Sequence, residues 1–452
     1  MSDSGHPPRA DLDDPLPSIA GGSARLLIAR VIASAATFVA FLILARTLVP
    51  SERGPVAFVM TTGLILAGIS GFGLDSATTV FASRWTRTRS SLLTNLYLFS
   101  LAAAALVGGL AAVALALAPS VRPAGVEGAE LAALLVGTVA LRAIGSSGAF
   151  LLGCGRFREQ VLVYSAGPVS LTCFLAVAWL IDDIGVGAAC GLWAASQVLG
   201  AVVGLVAVLY VQRPGRVSMS LAKRTFDFGL RAWGGTIAGF LNARLDQVIM
   251  GLISTEVALG IYAVATNASE VSLYLSETVG LALLPAVARA TGAERVETTL
   301  RTFRALLLVT TGIVAIGVMC SPLIPIVFGS DYEPSVAPYL LRLPGAIPFV
   351  AIRVFTSALG ASLAPGRSSI PSVTALVVGI ALDFALIPQY GANGAAVAAT
   401  AAFTTGGIVA ATLYCMLAGT GPRDLIPHRS DFATVRGLLS RSVRRRSSDT
   451  KA

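Results

Sequence analysis

Charged residues are scarce in this chain of 452 residues: 13% are Asp, Glu, Lys or Arg, whereas 55% are hydrophobic. Soluble domains carry about 25% charged residues, so a soluble fold of this length would lack the polar surface to cover itself. Apolar runs near the roughly 20 residues that cross a bilayer recur along the chain. The runs are continuous and do not alternate, which disfavours a membrane β-barrel. The predicted fold class is therefore an all-α polytopic membrane protein.

Histidine is nearly absent, since His6 and His428 both lie near the chain ends. This argues against an imidazole metal site or a histidine proton relay inside the membrane. The five cysteines stand singly in or beside apolar runs without C-x-x-C spacing, which is typical of small buried side chains. The sequence offers no Ser/His/Asp set, no Walker loop and no metal-ligand cluster. We therefore expect a protein that is not an enzyme, with no catalytic residue, metal or cofactor.

Short linkers with turn residues divide the apolar runs into twelve predicted spans. Most arginines and lysines between the spans fall in loops that are internal if the N-terminus is cytoplasmic, whereas the six outer loops hold only Arg46, Arg53 and Arg122. By the positive-inside rule, both termini of this multi-pass protein lie on the cytoplasmic side of the cell membrane. The predicted spans are 24–46, 55–82, 91–118, 130–152, 161–181, 186–211, 226–253, 257–288, 302–328, 336–363, 367–388 and 393–418.

A weak internal repeat relates the two halves of the chain. VPSERGPVAF at 49–58 resembles ISTEVALGIYAV at 253–264, and GCGRFREQ resembles APGRSSIP further along each half. Equivalent points are six spans apart, so the halves have the same orientation and a pseudo-two-fold axis along the membrane normal. The repeat predicts a six-helix bundle over 23–212 and a second over 213–420. Such paired bundles bind cargo between the halves, near the bilayer midplane.

The two tails are polar and differ in charge. Residues 1–22 are rich in Pro and Gly and predict a disordered cytoplasmic tail. Residues 421–452 form a basic cytoplasmic tail, which is either solvated or bound to anionic lipid head groups. This tail lacks interleaved aromatic residues, so we expect no nucleic-acid partner.

Several stretches resemble a known family. LARTLVPSERGPVAFV with GFGLDSATTVFASR, FLNARLDQVIMGLISTEVALGIYAVA, VFGSDYEPSVAPYLLRL and LIPQYGANGAAVAAT are similar to motifs of polysaccharide and oligosaccharide flippases. These Wzx-like polysaccharide transporters belong to the multidrug/oligosaccharidyl-lipid/polysaccharide exporter superfamily. The resemblance covers roughly residues 24–418 and implies twelve to fourteen helices in two bundles around a central cavity. It also implies alternating access without ATP hydrolysis, which moves a lipid-linked sugar from the inner to the outer leaflet.

Ionisable residues inside the spans are the candidate site residues. Each costs on the order of 2.5–3.5 kcal/mol at a helix centre, so each should line a watery cavity or pair with another charge. Four arginines from both halves are predicted to bind an anionic headgroup, because a guanidinium contacts phosphate oxygens bidentately. These four are Arg30, Arg142, Arg244 and Arg353.

The remaining in-span polar residues receive other roles. Glu270 and Glu277 are seven residues apart on one helix face, so they either couple to a proton or cation or pair with neighbouring arginines. Asp75 is interpreted as a structural residue that pairs with Arg84 or caps a turn. The other structural polar residues are Arg231, Asn242, Asp246 and Asp383.

The leading hypothesis is a flippase for a polyprenyl-diphosphate-linked oligosaccharide in cell-surface polysaccharide biosynthesis. Its partners would be that glycan substrate, membrane lipids, and a glycosyltransferase or polymerase of the same pathway. A cation-coupled multidrug exporter is the alternative within the superfamily. Such exporters need a carboxylate-lined cavity, whereas the first span holds Arg30 and no acidic residue. A third hypothesis is a non-transporting membrane scaffold for glycan enzymes.

Overall fold

A computed structural model describes residues 19–181, 184–363 and 367–428 of the chain. These residues form α-helices joined by short turns and 3₁₀ segments, with no strand among them. The helices are α1 Ile19–Thr47, α2 Pro50–Ile69, α3 Leu74–Arg84, α4 Arg89–Leu117, α5 Gly128–Gly153, α6 Phe157–Ile181, α7 Val186–Val211, α8 Met219–Leu241, α9 Leu245–Ile253, α10 Glu256–Arg289, α11 Gly292–Cys320, α12 Leu323–Phe328, α13 Val336–Arg342, α14 Ala346–Ala358 and α15 Ile370–Ala418.

The predicted fold class is confirmed, and each predicted span coincides with one helix, a broken pair of helices or one half of α15. By length and composition alone, seven described helices can cross a membrane, or eight if α2 and α3 form one bent span. The 49-residue α15 contains a non-helical residue, Gly391, where two helices meet at a kink. Several predicted spans are interrupted. The span predicted over 226–253 is broken between α8 and α9, and the first helix of the span predicted over 302–328 ends at Cys320, just before Pro322, which lacks a backbone donor.

The bend between α2 and α3 is built into the backbone. Phe72 has φ 44° and Gly73 has φ 72°, so two successive residues adopt the left-handed region. Glycine reaches this region without steric cost, whereas Phe72 does not. The two helices meet at 51°, and α3 starts in a new direction with Asp75 in its first turn.

The break between α8 and α9 has a different cause. Residues 242–244 form a turn, and Arg244 adopts φ −141° and ψ −17° instead of helical angles. The side-chain amide of Asn242 donates to the carbonyl of Ser372 on α15 at 2.7 Å. Helix α9 therefore starts directly after Arg244, deep within the predicted seventh span.

Helices from the two predicted halves meet at one end through α2 and α10. A Cβ placed on Gly54 would clash with the backbone carbonyl of Glu256, and one placed on Gly260 would clash with that of Pro50. Pro50 and Glu256 are the first residues of the two helices, and each glycine stands at the fifth position. The contact is thus reciprocal, as a two-fold relation between the repeated segments requires. We call this the α2–α10 end.

At the other end, α3 contacts α8. A Cβ on Gly73 would lie 2.1 Å from the backbone carbonyl oxygen of Gly229, and a Cβ on Gly229 would lie 2.8 Å from the backbone of Gly73. The rings of Phe81 and Phe228 add an aromatic contact, with centroids 5.3 Å apart. We call this the α3–α8 end. The space between these two ends contains the polar residues described below.

Helix α5 is shielded from lipid. In its most apolar window 72% of the residues are buried, against 17% for α4. It contacts α2, α3, α4, α6 and α7. Polar side chains on α5, including Arg142, therefore face protein or an internal cavity and avoid the cost of lipid exposure.

Candidate functional site: two cavities between the halves

Two neighbouring cavities lie between the α2–α10 end and the α3–α8 end. The first, of about 170 Å³, is lined by residues of both halves, among them Arg53, Arg244 and Asn267; we call it the Arg244 cavity. The second, of about 420 Å³, is lined by Asp75 and Arg142 among others; we call it the Arg142 cavity. The two cavities share four lining residues: Leu64, Leu141, Pro168 and Gln197.

Arg142 on α5 forms an ion pair with Asp75 on α3. Its Nη1 also donates to the carbonyl of Ala67 at 3.4 Å, and its Nε donates to the hydroxyl of Ser146 at 3.3 Å. The Arg142 side chain is 4% exposed, whereas that of Asp75 is 40% exposed. Asp75 was expected to pair with Arg84 or to cap a turn, and that partner was wrong, because the bend at Phe72 and Gly73 turns α3 towards α5.

Arg244 forms a two-fold contact with Glu270 on α10. Nη1 lies 2.6 Å from Oε1, and Nη2 donates to Oε2 at 2.9 Å. Glu270 is thus the partner of an arginine, and its possible coupling to a proton or cation stays a prediction. Arg244 also lines a cavity, so its predicted role as a headgroup ligand stays a prediction.

A buried cluster within the second half links α9, α10 and α13. Arg342 Nη1 donates to Asp246 Oδ2 at 2.8 Å, and the Tyr262 hydroxyl donates to the same oxygen at 2.5 Å. The side chains of Arg342 and Asp246 are 2% and 6% exposed. Asp383 on α15 is also buried, interacts electrostatically with both, and leaves Oδ1 without a hydrogen-bond partner among the described residues. Arg342 was missed by the sequence reasoning, although its position inside the predicted span 336–363 was a signal.

Breaking this cluster is expected to destabilise the protein. Arg342→Ala leaves Asp246 as a buried charge without its cation, which costs about 3–5 kcal/mol in comparable buried pairs. The measurement is the thermal midpoint of the detergent-solubilised protein, which is determined from the loss of monodisperse protein on heating. Arg156→Ala is the matched control, because Arg156 pairs with Glu159 at an exposed site and such pairs contribute little. Equal midpoints for the two variants would contradict the expectation.

Arg53 is a second residue that the sequence reasoning misplaced. It was assigned to an outer loop, but it lies in the first turn of α2 with 1% exposure and lines the Arg244 cavity. Its guanidinium lies over the ring of Phe41, 5.3 Å from the centroid. Nε and Nη1 have no hydrogen-bond partner among the described residues. The early helix start at Pro50, a residue favoured in the first turn, was the available signal.

Of the other predicted residues, those whose side chains are described do not line these cavities. Arg353 lies on α14, half-buried, with its guanidinium 5.9 Å from the centre of the Phe349 ring, and lines neither of the two cavities. Arg231 is exposed on α8, and Glu277 is partly buried on α10. Arg30 belongs to α1, but its side chain lies outside the described residues. The roles assigned to these residues stay predictions.

Comparison with known proteins agrees with this architecture. The model of a family described as "Polysaccharide biosynthesis protein" matches residues 43–337. A relative from Haloferax volcanii, named "Probable low-salt glycan biosynthesis flippase Agl15", is 25% identical over 193 residues. That match covers 41% of this chain and 40% of the relative, so the chain matches less than half of the relative's length.

Solved structures show the same fold. An inward-facing multidrug resistance MATE family transporter of the MOP superfamily aligns with a TM-score of 0.69 at 14% identity, covering 87% of this chain and 98% of that one. The lipid II flippase MurJ in an inward closed conformation aligns with a TM-score of 0.63 at 12% identity, covering 91% and 89%. At these identities the likeness establishes the two-bundle fold and no more.

Proposed function

Since this chain belongs to the family of polysaccharide biosynthesis proteins, we propose that it is a flippase for a polyprenyl-diphosphate-linked oligosaccharide. The carrying observation is that Arg53, Arg142 and Arg244 line two neighbouring cavities between the halves. Guanidinium groups bind phosphate oxygens bidentately, and a diphosphate offers two such groups. The protein moves this cargo between leaflets of the cell membrane by alternating access, with both termini in the cytoplasm.

The cavity walls also fit a sugar. Thr61, Gln247 and Asn267 contribute hydroxyl and amide groups to the Arg244 cavity, and such groups both donate and accept hydrogen bonds. Phe240 and Trp233 contribute aromatic faces to the Arg142 cavity. The cargo comes from a glycan pathway, and a glycosyltransferase or polymerase of that pathway is a proposed partner.

A cation-coupled multidrug exporter is the second candidate, because the fold is similar to that of a MATE transporter. A cavity that attracts organic cations needs carboxylates that are available to the ligand. Here Asp75 and Glu270 are each engaged by an arginine. The residues that line the two cavities include three arginines and one carboxylate, Asp75, so the charge of the cavities favours an anionic cargo.

Loss of the protein separates these functions. Cells that lack it are expected to accumulate polyprenyl-diphosphate-linked sugar in the cytoplasmic leaflet, where a membrane-impermeant periodate treatment from outside does not reach it. Their sensitivity to cationic drugs is expected to stay unchanged. Drug hypersensitivity without lipid-linked intermediates would instead identify the exporter. A scaffold predicts that cavity variants such as Arg142→Gln complement the loss fully.

A further inference from the structure

The two partners of the Arg142–Asp75 ion pair differ in how firmly they are held. Arg142 is 4% exposed and is fixed by Ala67 and Ser146, as well as by Asp75. Asp75 is 40% exposed, and its carboxylate is held by Arg142. The cation is thus fixed in the protein wall, while its anion faces the cavity.

Two glycines make room for the guanidinium of this ion pair. A Cβ on Gly71 would clash with Nη1 of Arg142, and a Cβ on Gly145 would lie 3.1 Å from Nη2 and 3.8 Å from Oδ2 of Asp75. Both glycines line the Arg142 cavity together with the ion pair itself. A second anion can therefore approach the guanidinium from the cavity that Arg142 and Asp75 both line.

The energies of the empty cavity and of the cavity with a bound phosphate favour an exchange of anions. A buried guanidinium is costly without a counter-charge, so Asp75 neutralises Arg142 while the cavity holds no cargo. A phosphate carries at least as much charge and accepts bidentate hydrogen bonds from the same fork. Asp75 loses little when it is displaced, because a partly exposed carboxylate turns towards water.

We propose that Asp75 is an exchangeable internal ligand of Arg142, displaced by the anionic headgroup of the cargo on binding and able to displace that headgroup on release. This inference rests on the proposed function and deepens it. A cavity arginine without such a competitor would retain its anion. Asp75 therefore lowers affinity and favours release, which a transporter requires of both of its open states.

The Arg244–Glu270 pair provides an internal contrast. Its partners are 22% and 12% exposed and make two contacts. Glu270 is held more firmly and is shielded from water, so its displacement costs more than that of Asp75. The exchange is accordingly assigned to the Arg142 cavity.

The test measures the binding of farnesyl diphosphate to the full-length protein in lipid nanodiscs by titration calorimetry. Asp75→Asn retains the size of the side chain and removes the competing charge, so the dissociation constant is expected to fall about tenfold. Glu159→Gln, which removes the carboxylate of the exposed Arg156–Glu159 pair on α6, should bind as the wild type does. The binding of inorganic pyrophosphate to Asp75→Asn should tighten in parallel with that of farnesyl diphosphate, whereas the binding of farnesol should not change.

A second variant keeps both charges, so it tests the inference even if Asp75→Asn folds poorly. Gly145→Ala narrows the space beside Nη2 and is expected to weaken the binding of farnesyl diphosphate by about fivefold or more. If Asp75→Asn and Gly145→Ala both bind farnesyl diphosphate with the dissociation constant of the wild type, the exchange is overturned and the proposed function stands. Failure of the wild-type protein to bind either diphosphate overturns the proposed function and the exchange together.

Discussion

Replacing Gly54 with valine is expected to abolish export while the protein still inserts in the membrane. The backbone carbonyl of Glu256 occupies the position where a side chain on Gly54 would begin. Backbone cannot move aside as the tip of a flexible side chain can, and overpacking typically costs about 1–3 kcal/mol or more. The conformation in which α2 contacts α10 is therefore lost, and an alternating-access cycle that needs it slows by about a hundredfold.

The reciprocal geometry makes this expectation specific. Gly260→Val places a side chain against the carbonyl of Pro50 and should give the same defect. The double variant should be no worse than either single one, because both block the same contact. Gly109→Val is the matched control, since a Cβ at Gly109 on α4 meets nothing within 4 Å.

The measurements are export of the lipid-linked glycan and labelling of a cysteine at the Arg244 cavity. In a background without the five native cysteines, Thr61→Cys should react with a membrane-impermeant maleimide from outside in the Gly54→Val protein. The same cysteine should be protected from the maleimide in the protein that retains Gly54. Normal export by Gly54→Val would show that the α2–α10 contact is not part of the cycle.

The helices followed from the sequence for a simple reason, whereas the contact between α2 and α10 was not predicted. A span of apolar residues is a local property, and the resemblance of 49–58 to 253–264 places Gly54 and Gly260 at the same helical position. The bend at Phe72 was not predictable, because a phenylalanine with positive φ contradicts local preference. Nor was the interruption at 242–244, where the side chain of Asn242 finds its acceptor 130 residues away.

The pairing of charges was beyond sequence reasoning for a related reason. Arg142 and Asp75 are 67 positions apart, and Arg342 and Asp246 are 96 apart. The positions of the predicted spans identified most of the costly charges within them but not which of these charges form ion pairs. Arg53 escaped because turn residues marked 49–54 as a linker, whereas Pro50 starts a helix there. Burial, which separates a loop arginine from a cavity arginine, depends on the packing of distant helices.

Replacing Arg53 with methionine is expected to abolish export and to raise thermal stability. Two guanidinium nitrogens of Arg53 are buried without a partner among the described residues. A buried unsatisfied polar group costs about 1–3 kcal/mol, and methionine removes that cost while it retains most of the apolar contact with Phe41. We therefore expect that Arg53, which is unfavourable for folding and lines a cavity, binds the anionic cargo.

The opposite signs of two arginine substitutions decide between a structural and a functional role for Arg53. Arg342→Met should lower the thermal midpoint, because it leaves Asp246 and Tyr262 without the cation that they contact. Arg53→Met should raise the midpoint by about 1–3 °C and lose the binding of farnesyl diphosphate. A fall in the midpoint of Arg53→Met, with binding unchanged, would place Arg53 among the structural residues. A buried cation that weakens the fold and strengthens anion binding belongs to the cargo site.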